Sequence, residues 1–458
     1  MIQIDFQLKP TDLSAKIARM WELSARKIKA LSVAWQDQSG APVFTEKGIY
    51  ISRQWTEWTQ GFQFGSALLQ FDATSEHEFF LYGRDKTIQN MARHITNRAV
   101  HDHGFNIVST YGTLLRLARE ERGPDNSSRR VLYELALQCS GVVQAGRWTR
   151  LNDGGGFIYS FNGPHSLFAD TIRSLRSLAL AYRLGQTLTE EQDRKVNLLK
   201  RLLQHAGATA QYNVYYGRNR DIYDVPGRVA HESIFHHPQG TYRCPSTQQG
   251  YSPFSTWTRG LAWIMTGYAE QLEFVEQCRD DELEPYGGRG EIETMLLSAA
   301  QASCDFYLKN TPTDGIPYWD THAPGLALME NYLDRPANPF NDYEPVDSSA
   351  AAIAAQGLLR LGHYLIGKKN NGDGNRYFQA GLTVLRTLLN EPYLSDDASH
   401  QGLILHSVYH RPNGWDYIPA GAKIPYGEST MWGDYHMREA ALIVQRIAEN
   451  KKYYTFFG

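Results

Sequence analysis

The sequence predicts an all-α protein folded as an (α/α)6 barrel, a six-hairpin toroid in one domain spanning residues 1–458, with long loops gathered over a candidate active site. Three observations carry this expectation. About twelve stretches place apolar residues at helical spacing. Long connections rich in Gly, Pro and aromatic residues follow alternate stretches, and connections of that length in a compact protein are commonly functional. An open helical solenoid is the competing layout, but it needs a repeat of fixed length, and none is present.

The elements follow in order. Thr11–Trp35 opens on the capping pattern TDLS and carries Leu13, Ile17, Met20, Leu23 and Ile28 on one side. Gly61–Phe71, Glu76–Thr96, Asn106–Glu121, Ser127–Ala145 and Phe168–Leu184 come next. Thr189–Ala206 begins with TEEQ, a second capping pattern. Thr258–Gln277 and Gly290–Lys309 are long and apolar-striped, and Ser348–Ile366 is Ala-rich and suited to close packing. Asn375–Glu391 and Gly433–Asn450 complete the set. Extended pieces are expected around Val214–Tyr223 and Leu403–His410, with no β-rich domain.

Composition sets the function classes. A net charge of -3 over 458 residues leaves no basic footprint for nucleic acid. No apolar run is long enough to span a bilayer, and MIQIDFQLKP lacks the features of a signal peptide. Cys139, Cys244, Cys278 and Cys304 form no CxxC and have no His at metal-ligand spacing, so they read as reduced thiols in a cytoplasmic protein. The distinctive excess is aromatic: 27 Tyr, 19 Phe and 10 Trp, side chains that stack on sugar rings as well as fill cores.

Chemistry-bearing clusters lie at the helix entries. Gln54–Gly65 brings Trp55, Trp58 and Phe62 beside glycines. His101-Asp102-His103-Gly104-Phe105 precedes an apolar helix, where Asp102 reads equally as a cap or a functional carboxyl. Asp170 stands at the mouth of the helix that follows Phe161-Asn162-Gly163-Pro164, again as cap or as catalytic carboxyl. Thr247–Trp263 sets Arg259 and Trp263 four apart on one face. The pair is either an anion seat beside a stacking ring or an Arg packing its stem on Trp. Pro317–His322, Asp347–Ala350 and Ser429–Glu439 are the remaining clusters.

Taken in order, WTQGF, HDHGF, FADTIRSL, QGYSPFSTWTRGLAW, PYWDTHAP, DSSAAAIAAQGLL and MWGDYHMREAAL resemble glycoside hydrolase family 88, the unsaturated glucuronyl hydrolases, from about Trp55 to Ala441. The resemblance implies an (α/α)6 barrel. It implies an activity on oligosaccharides left by polysaccharide lyases, which end in a 4,5-unsaturated uronic acid. The double bond is hydrated, and the resulting hemiketal opens to release a keto acid. Residue by residue, Asp170 matches the general acid/base and Asp102 its aspartate partner. His231, by its spacing to Gln249, matches a histidine near the bound sugar. Arg259 and Trp263 match the substrate-binding pair, Trp58 a stacking aromatic, and Tyr409 and Ser429 further substrate contacts. His101 falls within the HDHGF match, and Phe161 stands where the family often has Trp. The resemblance requires no metal and no cofactor, and the partner it implies is the unsaturated oligosaccharide.

Protonating a vinyl ether on carbon needs an acid that holds its proton near neutral pH. The expected arrangement is that Asp102 raises the pKa of Asp170 through like charge, while Arg259 and hydroxyls such as Ser429 seat the substrate carboxylate. The chain departs from the family pattern in extra length at Tyr212–Gln248 and Gly325–Val346, and in SPFS at Ser252–Ser255. Three other readings stand beside this one: the unsaturated rhamnogalacturonyl chemistry of family 105, a conventional glycosidase using the two aspartates, and a helical barrel that binds carbohydrate without turnover.

Overall fold

Alternation between half-buried and fully buried helices organises the molecule. The computed structural model describes residues 1–35, 39–53, 57–124 and 127–457. Among them run twelve principal helices: α1 (Ser14–Ala34), α2 (Gln60–Thr74), α3 (His77–Asn90), α4, α5 (Ser127–Ala145), α6, α7 (Leu198–Tyr212), α8 (Thr258–Glu276), α9 (Gly288–Lys309), α10 (Ser348–Gly367), α11 (Asn371–Leu388) and α12 (Met431–Ala448). Helix α4 is composite, joining His103–Asn106, a π-helical turn at Val108–Gly112 and Thr113–Arg119. Helix α6 joins Thr171–Ser174 to Arg176–Arg183.

The odd-numbered helices bury one stripe; in α1 it is Ile17, Met20, Leu23, Ile28 and Leu31, while Val33 is exposed. The even-numbered helices are buried all round, α2 from Gln60 to Asp72 and α8 from Thr258 to Val275. Such helices need neighbours on every side. They find them as α2 packs on α4, α4 on α6, α6 on α8, α8 on α10, α10 on α12, and α12 back on α2. The inner ring is therefore closed, and the odd-numbered helices surround it.

Small residues set the approach of the inner helices near the functional end. A Cβ on Gly104 would lie 2.4 Å from the Ser174 Cα, and one on Gly61 2.5 Å from the Asn106 Cα. Neither position accepts a side chain, so the entries of α2, α4 and α6 converge. Deeper in the barrel, Arg173 bonds Glu270 (3.2 Å) and Glu439 (2.7 Å), all three buried.

Strands decorate the loops. β1 (Pro42–Glu46) pairs with β2 (Ile49–Ser52), and β3 (Trp148–Arg150) with β4 (Gly156–Ile158). β5 (Ser166–Phe168) is joined by β8 (Glu232–His236) and β9 (Thr241–Ser246) in a three-stranded antiparallel sheet, so the extra length at 212–248 is stitched to the segment leading into Asp170.

The expected helix at Thr189–Ala206 is corrected. Its first half is a hairpin of β6 (Thr187–Glu190) and β7 (Arg194–Asn197), and α7 begins only at Leu198, capped by Asn197, which accepts from the Lys200 N–H at 3.1 Å. The TEEQ pattern was misleading because Gln192 and Asp193 take positive φ, which turns the chain back so that Thr187–Glu190 and Arg194–Asn197 pair as strands. The extended pieces shrink to isolated bridges, Val214 to Val229 and Ile404 to Leu394. Among the described residues no helix is long and apolar enough to cross a membrane, and the four cysteines are unpaired.

Candidate active site

The long connections precede even-numbered helices, so the sequence clusters come together at the N-terminal ends of the inner ring. Trp58 stands before α2, Asp102 before α4 and Asp170 before α6. Arg259 lies in the first turn of α8, Asp347 caps α10, and Ser429 stands before α12. Six inner helices point their positive ends toward one pit, which favours negative charge there. The pit is a cavity of about 200 Å³ walled by Trp58, His101, Asp102, Phe105, Phe161, Phe168, Asp170, Gln248, Gln249, Trp257, Arg259, Trp263, Tyr409, His410 and Asn413. Trp55 lies outside the described residues.

Neither aspartate acts as a cap. Both occupy N-cap positions, yet neither side chain accepts a bond from its helix. Both carboxyls turn instead to His101. Its Nε2 lies 3.1 Å from Asp170 Oδ1 and 3.8 Å from Asp102 Oδ1. The backbone of His101 is pinned, its carbonyl accepting from Gln144 Nε2 (2.9 Å) and Ser174 Oγ (2.7 Å).

Electrostatics reverses the expected order of the two acids. Burial pushes Asp102 up to about 6, against the pull of His101. Burial would raise Asp170 too, but the charge and hydrogen bond of His101, with Arg259 beyond, hold it below its ordinary value. Burial opposes charge on His101, and Asp102 and Asp170 together overcome it, raising the imidazole. The expectation that Asp102 keeps a proton on Asp170 is thus overturned. A cation touching Asp170 outweighs the like charge of Asp102.

Arg259 is 1 % exposed, so it is no surface Arg. Its guanidinium lies over Trp257 (4.6 Å) and Trp432 (4.9 Å) rather than Trp263. It donates to Asp347 Oδ2 (3.0 Å), Gln249 Oε1 (2.7 Å), the Tyr409 carbonyl (2.7 Å) and the Val408 carbonyl. Asp347 also accepts from Ser349 and Ala350 N–H, which anchors α10.

His231 stands behind the wall, its ring against Phe168 (4.7 Å) and Trp257 (4.5 Å). Its Nδ1 accepts from the Gln248 N–H (3.1 Å), so the ring proton is on Nε2, a buried donor with no protein partner. Burial pushes this histidine down to about 4, leaving it neutral. Ser429 is not brought to the pit. It is fully buried, and its hydroxyl donates to the Ile404 carbonyl at 2.5 Å, committed to holding a loop.

Several wall residues went unassigned from sequence. Phe105 and Trp257 lie inside quoted motifs, where their aromatic character was the available signal. His410 and Asn413 sit on a loop shaped by Asp416, whose carboxylate accepts from the Tyr409 (2.5 Å) and His410 (3.1 Å) N–H groups. No local pattern marks that loop. Among the described residues, no group of three His, Cys, Asp or Glu side chains is set to hold a metal ion.

Against known proteins, no family model matches the chain. Among solved structures, an unsaturated glucuronyl hydrolase from Bacillus sp. GL1 superposes with a TM-score of 0.70 at 21% identity, covering 96% of this chain and 97% of that one. One described as specific for heparin gives 0.71 at 17% identity, covering 95% and 98%. The fold is that of an (α/α) barrel. In sequence, the chain is 26% identical over 389 residues to an unsaturated glucuronyl hydrolase of Formosa agariphila, covering 84% of this chain and 79% of that one. It is 23% identical over 413 residues to an unsaturated chondroitin disaccharide hydrolase of Streptococcus agalactiae, covering 87% and 84%. In sequence and in fold the chain is similar to the unsaturated glucuronyl hydrolases.

Proposed function

We propose that this chain removes the terminal 4,5-unsaturated uronic acid from lyase-cut oligosaccharides by adding water across C4=C5, with Asp170 as general acid/base and Asp102 as its partner. The observation that carries the reading is the convergence of Asp102 and Asp170 on one imidazole, at the floor of a ring-lined pit that also holds Arg259.

The chemistry follows from that arrangement. Protonated Asp170 gives its proton to C4, and the positive charge that develops at C5 is shared with the ring oxygen. Water adds at C5 and returns a proton to Asp170. The hemiketal opens to a C5 ketone, its ring oxygen now a hydroxyl on C1. That hemiacetal collapses to an aldehyde and frees the neighbouring sugar as an alcohol. Trp58, Phe161, Trp263 and Tyr409 offer faces to the sugars. The buried charge of Arg259, held at the wall beside Gln249, favours the substrate carboxylate there, and His231 backs the wall through Phe168 and Trp257. The unpaired thiols suit a reducing compartment such as the cytoplasm.

The test is loss of the ultraviolet absorbance of the conjugated enol acid, across lyase products differing in linkage and sulfation. Wild type should bleach at least one product, and Asp170→Asn none. A folded wild type inert on the whole panel sinks the reading.

A further inference from the structure

A general acid must hold a proton when the alkene arrives, yet Asp170 is held below its ordinary value by His101, whose own is raised by Asp102 and Asp170 against its burial. Resting on the hydration reading, we infer that His101 is the proton store for Asp170: the proton on its Nε2, bonded to Asp170 Oδ1, passes to that carboxylate as the sugar seals the pit, and returns when product leaves.

The geometry supports each part. His101 is 2 % exposed, and among the described residues its Nε2 is within hydrogen-bond distance of one atom, Asp170 Oδ1 at 3.1 Å. Its Nδ1 has no partner among the described residues, so after transfer the remaining ring proton stays there and the neutral ring needs no rearrangement. The ring cannot swing away. It lies parallel to Phe161 (15°, 6.5 Å) and edge-on to Phe168 (5.6 Å), and its backbone is bonded to α5 and α6 through Gln144 and Ser174.

Sugar binding supplies the drive. A charged pair at 3.1 Å is tolerated while water reaches the pit. When a ring covers it and brings another carboxylate, the neutral form of Asp170 gains. One proton moves from nitrogen to oxygen, one positive and one negative charge disappear, and no other reactant is needed. After C4 is protonated, the attacking water restores the proton to Asp170, so His101 is recharged once per turnover.

The groups facing His101 are Asp102 on its own segment, Asp170 before α6, Arg147 after α5, His103, His205 on α7 and His231 before β8. Arg147 opposes its charge and the two aspartates favour it, while burial leaves His103, His205 and His231 neutral. Acting through Asp170, His101 is a positioning residue.

The experiment compares wild type with His101→Gln, whose amide still donates to Asp170 but cannot titrate. Selective ¹⁵N-histidine spectra should contain one ring titrating above the ordinary pKa of about 6.5. That ring should vanish in His101→Gln and fall back toward the ordinary value in Asp170→Asn. On whichever lyase product wild type turns over, His101→Gln should lose about tenfold or more in kcat with KM nearly unchanged. Its alkaline limb should move to lower pH. A variant that keeps the wild-type kcat and alkaline limb overturns the relay, as does a His101 ring titrating below the ordinary value. Those outcomes leave the hydration reading standing, whereas an inert wild type removes that reading itself.

Discussion

Asp347 holds Arg259 by a 3.0 Å bond between two fully buried side chains, and this contact ties the N-terminus of α10 to the first turn of α8. Asp347 is therefore both a helix cap and the orienter of the Arg that walls the pit. Asp347→Ala is expected to cost about 3–5 kcal/mol of stability, because it leaves a buried guanidinium charge unpaired. Thermal denaturation measures this, and a loss below about 1 kcal/mol contradicts the account.

Arg259→Lys tests the fork itself. Its two terminal nitrogens together reach a carboxylate, an amide oxygen and two carbonyls. An ammonium cannot match that fork. The expected outcome is a rise in KM of roughly ten- to a hundredfold, because a charge no longer fixed at the wall weakens a contact with the substrate carboxylate worth about 1.5–3 kcal/mol, with a smaller change in kcat. Steady-state kinetics on an active lyase product decides it.

Asp170→Asn separates chemistry from folding. The side chain caps nothing, and Asn can still bond His101. Activity should fall by about a hundredfold to ten-thousandfold, with a melting temperature close to wild type. A variant that unfolds would return Asp170 to a structural role.

Asp102 gives a pH signature. Its folded pKa, about 6, lies above the unfolded value. Between about pH 4 and 6 the folded chain holds a proton that the unfolded chain releases, so this group's contribution to stability falls as pH rises through that window. Above it, the ionised Asp102 is a standing penalty of order 2–3 kcal/mol. Asp102→Asn should therefore be more stable than wild type at pH 7, with the advantage gone near pH 4. Denaturant melts at both pH values measure the difference.

Much of the fold was legible in the sequence because inner and outer helices alike carry apolar residues at helical spacing, whereas which of them are buried all round was not, since α8 and α9 read alike as apolar-striped. The motifs were legible because they sit just ahead of inner helices, where HDHGF and FADTIRSL join a polar entry to a buried run. The order of proton affinities was not. It depends on His101 standing between two carboxyls that are 68 residues apart in the chain, and sequence spacing carries no such distance. Ser429 misled for a related reason: a hydroxyl just before an inner helix can face the pit or the wall behind it. The hairpin at 187–197 escaped because its charged residues fit a helix surface as well as an exposed strand.

The ring is completed only when α12 reaches α2, an encounter between the two ends of the chain's helical order. Until then every earlier hairpin can stack on its predecessor, but α2 keeps one flank of apolar side chains bare. Synthesis from the N-terminus thus yields an arc that stays open until α12 emerges, with late closure between distant segments as the slow event. The pit shares that timing, since Trp58 stacks on Trp432 across this same seam at 4.9 Å.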